Sequence, residues 1–133
     1  MDASLALAWC FPDEHTESGD DFLRVLKNVE IFVPTVWPME IANAMLMGER
    51  AGRLGPREIV RFLDLIQELG PQIERSDPLG QLEGALRVGR ENQLSAYDAS
   101  YLALAMTTGA ALATLDRRLR QAAVRAGVAL LKP

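Results

Sequence analysis

The chain has 133 residues, 49% of them hydrophobic, enough to bury a proper core in a single domain spanning residues 1–133, and a formal net charge of −4 that argues against a general nucleic-acid coat protein. No apolar run approaches the ~18 residues of a membrane span, and no charged segment leading into an apolar stretch opens the chain, so the expectation is a cytoplasmic protein without membrane or secretory signal. One cysteine, Cys10, excludes an internal disulfide and reads as a buried, inert thiol among apolar neighbours.

After Asp2, Leu5 to Trp9 reads as a short helical turn that breaks at Pro12-Asp13-Glu14. Phe22, Val25, Leu26 and Val29 have helical spacing, and Ile31-Phe32-Val33, closed by Pro34, reads as a buried strand. A helix is expected from about Thr35, its N-cap, to Ala51, with Gly52 as the stop. The next runs from Pro56 to Leu69, ended by Gly70, with Ile59, Phe62, Leu63, Ile66 and Leu69 on its apolar face. Gln72 to Arg75 reads as a brief edge strand, and Asp77-Pro78 opens a helix to about Asn92. Ser95 caps a helix ending near Gly109, and Ala111 to Thr114 is strand-like. Asp116 begins a helix ending near Gly127, and Val128 to Leu131 is the last strand. Strands alternating with helices predict an α/β fold with a mostly parallel central sheet.

Four acids stand where strand gives way to helix: Asp2, Glu40, Asp98 and Asp116. In open α/β sheets, ligands bind just beyond the carboxyl ends of the strands. Each acid also has a purely structural role open to it. Asp116 and Asp2 are good N-caps, Asp98 completes a capping-box variant with Ser95, and Glu40 with Asn43 suits an exposed polar pair. The conjunction points further, because clustered carboxylates at the margin of a core need partners, and a hard cation such as Mg²⁺ or Mn²⁺ satisfies all of them. That chemistry suggests a metal-dependent enzyme acting on phosphodiesters. The acidic net charge is compatible with it, since bound metal neutralises part of the cluster.

Asp2-Ala3-Ser4, Pro34 through Glu40-Ile41-Ala42-Asn43, Leu94-Ser95-Ala96-Tyr97-Asp98, and Thr114-Leu115-Asp116-Arg117-Arg118-Leu119 together resemble the PIN-domain ribonucleases. The nearest group is the VapC-type toxins of prokaryotic toxin–antitoxin operons. The resemblance implies a three-layer α/β/α PIN-like fold and an endoribonuclease toxin. Asp2, Glu40, Asp98 and Asp116 would bind one or two Mg²⁺ or Mn²⁺ ions, with Ser4, Asn43 and Thr114 supporting the carboxylates or the water. A metal-activated water would then attack the RNA phosphorus in line, leaving 5′-phosphate and 3′-hydroxyl ends. The implied partners are an RNA substrate, a cognate antitoxin and a second copy of the chain.

Arg117, Arg118 and Arg120 are candidates for holding phosphate, with Arg50 and Arg53 a second pair; a solvated helix face is the plain alternative for all five. Met45, Leu46 and Met47 beside Ile59 and Phe62 suggest an antitoxin groove or ordinary core. His15 reads as a surface residue, and Trp9 and Trp37 read as core.

Family members carry three or more apolar strand residues before the first Asp; here Met1 alone precedes Asp2, so the first strand reads as truncated. This predicts a gap in the sheet and an Asp2 on a frayed terminus. The preferred account is a start several residues upstream; pairing by another segment, or a toxin that no longer cleaves, are the others. The competing function is a PIN module that binds antitoxin or RNA without cutting. A phosphoacceptor receiver is disfavoured because neither Lys27 nor Lys132 is well placed, and no G-x-x-x-x-G-K-[ST] loop is present for a nucleotide-binding enzyme.

Overall fold

The computed structural model describes residues 1–14, 17–75 and 77–131, and for residues 17 and 18 the backbone only. His15 and Lys132 lie outside the described residues. Helices α1 (Ala3–Cys10) and α2 (Glu17–Leu26) lead into strand β1 (Phe32–Val33), with a single 3₁₀ turn over Pro12–Glu14 between the two helices. Helices α3 (Trp37–Arg50) and α4 (Pro56–Leu69) precede β2 (Gln72–Ile73). The remainder runs α5 (Pro78–Asn92), α6 (Ala96–Thr108), β3 (Leu112–Ala113), α7 (Arg117–Arg125) and β4 (Leu130–Leu131).

Local chemistry sets most of these boundaries. In α4, Pro56 opens the helix, Glu58 accepts a hydrogen bond from the Gly55 N–H at 3.0 Å, and Gly70 closes it at φ 56°. Side-chain caps start α1 at Asp2, α5 at Asp77, α6 at Ser95 and α7 at Asp116. The expected Thr35 cap does not form. Helix α3 starts two residues later with no side-chain cap, and the Thr35 hydroxyl is engaged by Gln81 Oε1 at 2.7 Å. Sequence distance hides that competitor, 46 positions away.

Among the described residues all strand pairing is parallel, as alternation with helices requires, but the sheet is not continuous. β1 pairs with β2 (Phe32 opposite Gln72), and β3 pairs with β4 (Leu112 opposite Leu130). Ile31 and Val33 turn their carbonyls to β2, and Leu112 turns its N–H to β4. In a parallel ladder this aims the backbone groups of Phe32 and Ala113 the other way, into a cleft between the two half-sheets. Met1, Leu26, Ile31, Tyr101, Leu104 and Leu112 are among its lining residues. No strand precedes Asp2 among the described residues. Instead the Met1 amino group donates to Phe32 O (3.1 Å) and the Asp2 N–H donates to Ala113 O (3.0 Å), joining the half-sheets at one end.

The core is one cluster drawn from every helix, with Phe62, Val88, Leu102 and Leu119 fully buried. Cys10 belongs to it, and burial pushes its thiol up to about 11, which removes it as a nucleophile at neutral pH. Trp37 is buried, while Trp9 is half-buried and donates its indole N–H to Gly19 O at 3.2 Å, so both serve packing. Among the described residues no helix is long and apolar enough to cross a membrane.

Helix α3 packs closely on the end of α1 because position 48 is glycine. A Cβ there would stand 2.6 Å from Phe11 Cε1 and 3.0 Å from Leu54 Cδ1. Gly48→Ala should therefore destabilise the protein by about 1–3 kcal/mol through overpacking, although alanine is the better helix former by ~1 kcal/mol. Chemical denaturation checks this, and a stabilised variant would show that Phe11 yields freely.

Candidate active site

Asp2, Ser4, Glu40, Asn43, Asp98, Tyr101 and Asp116 line one open pocket, drawn from the starts of α1, α6 and α7 and the first turns of α3. Residues up to 114 positions apart thus share one wall, because each helix start abuts the same end of the parallel strands. All four acids singled out in the sequence are here, as are Ser4 and Asn43. Thr114 lies just behind, 1% exposed.

Asp2 is not frayed. It is 4% exposed, and its carboxylate receives the Leu5 N–H (3.0 Å), the Ser4 hydroxyl (2.9 Å) and the Thr114 hydroxyl (2.6 Å). The family resemblance named Ser4 and Thr114 as supports for the carboxylates or the water, but spacing alone does not pair Thr114 with Asp2, because its hydroxyl comes from the far end of the chain. The supporting residues are themselves tied together. Thr114 Oγ1 accepts from the Asp116 N–H at 2.9 Å, and Ser4 Oγ accepts from the Leu115 N–H at 3.2 Å. Burial raises the Asp2 pKa above the usual carboxylate range, and the three hydrogen bonds oppose that rise.

Asp116 and Asp98 each take part in a helix cap and also line the pocket. Asp116 Oδ1 caps α7 by accepting from the Leu119 N–H at 2.7 Å. At α6 the Ser95 hydroxyl accepts from the Asp98 N–H (3.1 Å) and donates to Asp98 Oδ2 (2.8 Å). A cap uses one carboxylate oxygen, so capping and lining a pocket are compatible. Glu40 is half-buried on α3 and is raised first by burial, then by the negative charges of Asp98 and Asp2; the hydroxyl of Tyr101 donates to its Oε2 and opposes the rise. Nothing in the spacing of the sequence marks Tyr101 as a partner of Glu40, 61 positions away. Asn43 is exposed at the rim, its amide 3.8 Å from Met47 Sδ.

The arginines separate into classes. Arg117 and Arg118 are exposed on the first turn of α7, next to Asp116. Arg120 turns inward and donates to Thr114 O at 2.8 Å, so it braces the β3–α7 turn. Arg53 is held by Asp13 (2.8 Å) and Glu14 (2.7 Å), with its guanidinium 4.3 Å from the Phe11 ring centroid, and is thereby tied to structure away from the acidic pocket. Of the suggested groove, Met45 and Phe62 are buried core, whereas Leu46 and Met47 are exposed.

The donor set is oxygen only, which suits a hard divalent cation. Among the described residues, no three His, Cys, Asp or Glu side chains converge closely enough to hold a metal ion as they are oriented. Three of the acids, Asp2, Asp98 and Asp116, are turned to their helix caps.

Comparison with known proteins agrees with this architecture. The chain is 28% identical over 121 residues to Ribonuclease VapC3 of Pyrobaculum aerophilum, covering 91% of each chain. Its fold is similar to the crystal structure of PAE2754, also from Pyrobaculum aerophilum, with a TM-score of 0.67 and 25% identity over 98% of this chain and 86% of that one. The PIN domain family model matches residues 1–125. With the acids of that span gathered at the carboxyl end of parallel strands, the chain belongs to the PIN-domain family.

Proposed function

We propose that this protein is a metal-dependent endoribonuclease acting as the toxin of a toxin–antitoxin pair. The observation that carries the reading is the convergence of Asp2, Glu40, Asp98 and Asp116 on one open pocket from four helix starts. The similarity to a protein named as a ribonuclease supports the substrate class. Mg²⁺ or Mn²⁺ bound here would supply an activated water and offset negative charge on the phosphate. Asp2, already fixed by three donors, is the rigid wall of such a site. Glu40, Asp98 and Asp116 would complete it, since each has an oxygen outside its cap or hydroxyl bond. Ser4 and Thr114 keep Asp2 oriented. Arg117 and Arg118 are free to meet phosphate beside the pocket, and Leu46 and Met47 offer exposed apolar contact for an antitoxin. The non-catalytic alternative, a module that binds RNA or antitoxin without cutting, is favoured by the absence of a preformed cation site among the described residues.

Cleavage of a labelled structured-RNA pool separates the two. The purified chain should cut with Mn²⁺ or Mg²⁺, stop in EDTA, and lose on the order of a hundredfold or more on Asp98→Asn, at least the loss seen when an outer-shell partner of a metal ligand is removed. A folded parent that binds RNA uncut establishes the binding module instead.

Protons and cation compete for the same carboxylates, which sets the pH dependence. Asp2 and Glu40 are both raised in the folded chain, so the folded state binds more protons than the unfolded one above the ordinary carboxylate range. Their stabilising contribution is full below that range and is lost as pH rises through the raised values. Metal-free protein should therefore melt lower as pH climbs from about 4. Asp2→Asn or Glu40→Gln should flatten that slope, and Mn²⁺ should restore most stability at the alkaline end. A parent and variants with parallel melting profiles would refute the assignment.

Arg117→Gln and Arg118→Gln should each weaken RNA binding and lower the salt dependence by about one counter-ion, read from log affinity against log salt. An unchanged slope would place both on a solvated face.

A further inference from the structure

The Tyr101 hydroxyl touches two walls of the acidic pocket at once. Its side chain is 3% exposed and sits on α6 one turn beyond Asp98. The hydroxyl, carried on α6, donates to Glu40 Oε2 on α3. An ionised carboxylate only accepts, and a phenol has a single proton, so the direction of this bond is settled. One oxygen of Glu40 is thus held, and among the described residues no hydrogen bond engages Oε1.

We propose that Tyr101 is a positioning residue for Glu40: from α6 it clamps one carboxylate oxygen and leaves the other for the pocket. Its consequence for cation binding rests on the nuclease reading above; the clamp itself does not. Long side chains with a free χ angle lose entropy when they become ligands, and a clamp removes part of that loss in advance. Neither Asp98 nor Asp116 has an equivalent need, because each is shorter and is already fixed by its helix cap.

Tyr101→Phe retains the ring in the core and deletes the oxygen. In metal-free, ¹³C-glutamate-labelled protein, the Glu40 carboxyl resonance (assigned by its loss in Glu40→Ala) should move on Tyr101→Phe while the other glutamates stay. By calorimetry, Mn²⁺ binding should weaken about 10–100-fold, the range for loss of an outer partner of a metal ligand. In the Glu40→Ala background the same change should have no further effect, because the two act through one interaction. Thermal melts check that each variant is folded; should Tyr101→Phe fail to fold, 3,5-difluorotyrosine at position 101 keeps the ring and alters the donor, giving the same resonance test.

An unmoved Glu40 resonance overturns the proposal whether or not the chain binds Mn²⁺. Mn²⁺ affinity equal to the parent's, or an equal loss with and without Glu40, overturns it too and reduces Tyr101 to a core residue. A parent that binds Mn²⁺ yet leaves RNA intact refutes the nuclease reading instead, and the resonance and the titration still decide the clamp.

Discussion

A buried carboxylate at the second residue is the constraint on which the rest of the acidic-pocket end depends. Asp2 cannot keep a charge at 4% exposure without donors, and it takes them from α1, from Ser4 and from Thr114 at the exit of β3. The loss of any one donor would leave a desolvated acceptor, at a cost of about 1–3 kcal/mol. Satisfying Asp2 therefore fixes where α1 begins relative to β3. The same bonds set the β3–α7 turn, because Thr114 Oγ1 and Ser4 Oγ accept the N–H groups of Asp116 and Leu115 in turn. Arg120 completes the arrangement by holding the Thr114 carbonyl.

All four acids occupy the first turn of a helix or its cap, and three of them take part in the cap itself. A helix N-terminus carries partial positive charge and unsatisfied N–H groups, so an acid there is stabilised even when its neighbours are acids. Asp2 and Asp116 use one oxygen for the cap, and Asp98 uses one for the Ser95 hydroxyl. Glu40 also stands in the first turn of its helix, but α3 has no side-chain cap and Glu40 is not part of one. It is held by Tyr101 and carries the repulsion of Asp98 and Asp2.

The cleft between the half-sheets shows how little pairing the site needs at its base. Two backbone bonds, from Met1 to Phe32 and from Asp2 to Ala113, join β1 to β3 at the end where the acids gather. The frayed Asp2 expected from a truncated first strand is absent for the same reason: side chains, not a strand ladder, hold it. Packing of α1 on α3, tight at Gly48 against Phe11, supplies the remaining restraint.

Sequence alone determined the features that are local. The Gly70 and Gly109 stops, the Pro56 and Pro78 starts and the caps at Ser95 and Asp116 depend on residues within a turn of one another, and all stand where the spacing places them. The alternation of strand and helix sufficed for parallel pairing. It also placed four acids at helix starts, the one end of a parallel sheet where they meet. Tertiary structure decided everything that joins distant segments: Gln81 taking the Thr35 hydroxyl, Thr114 locking Asp2, Tyr101 reaching Glu40, and Arg120 turning inward while Arg117 and Arg118 face solvent. Polar side chains have several partners within reach of their rotamers, and which one wins is set by burial and by competing donors. Those exist only once the chain has folded.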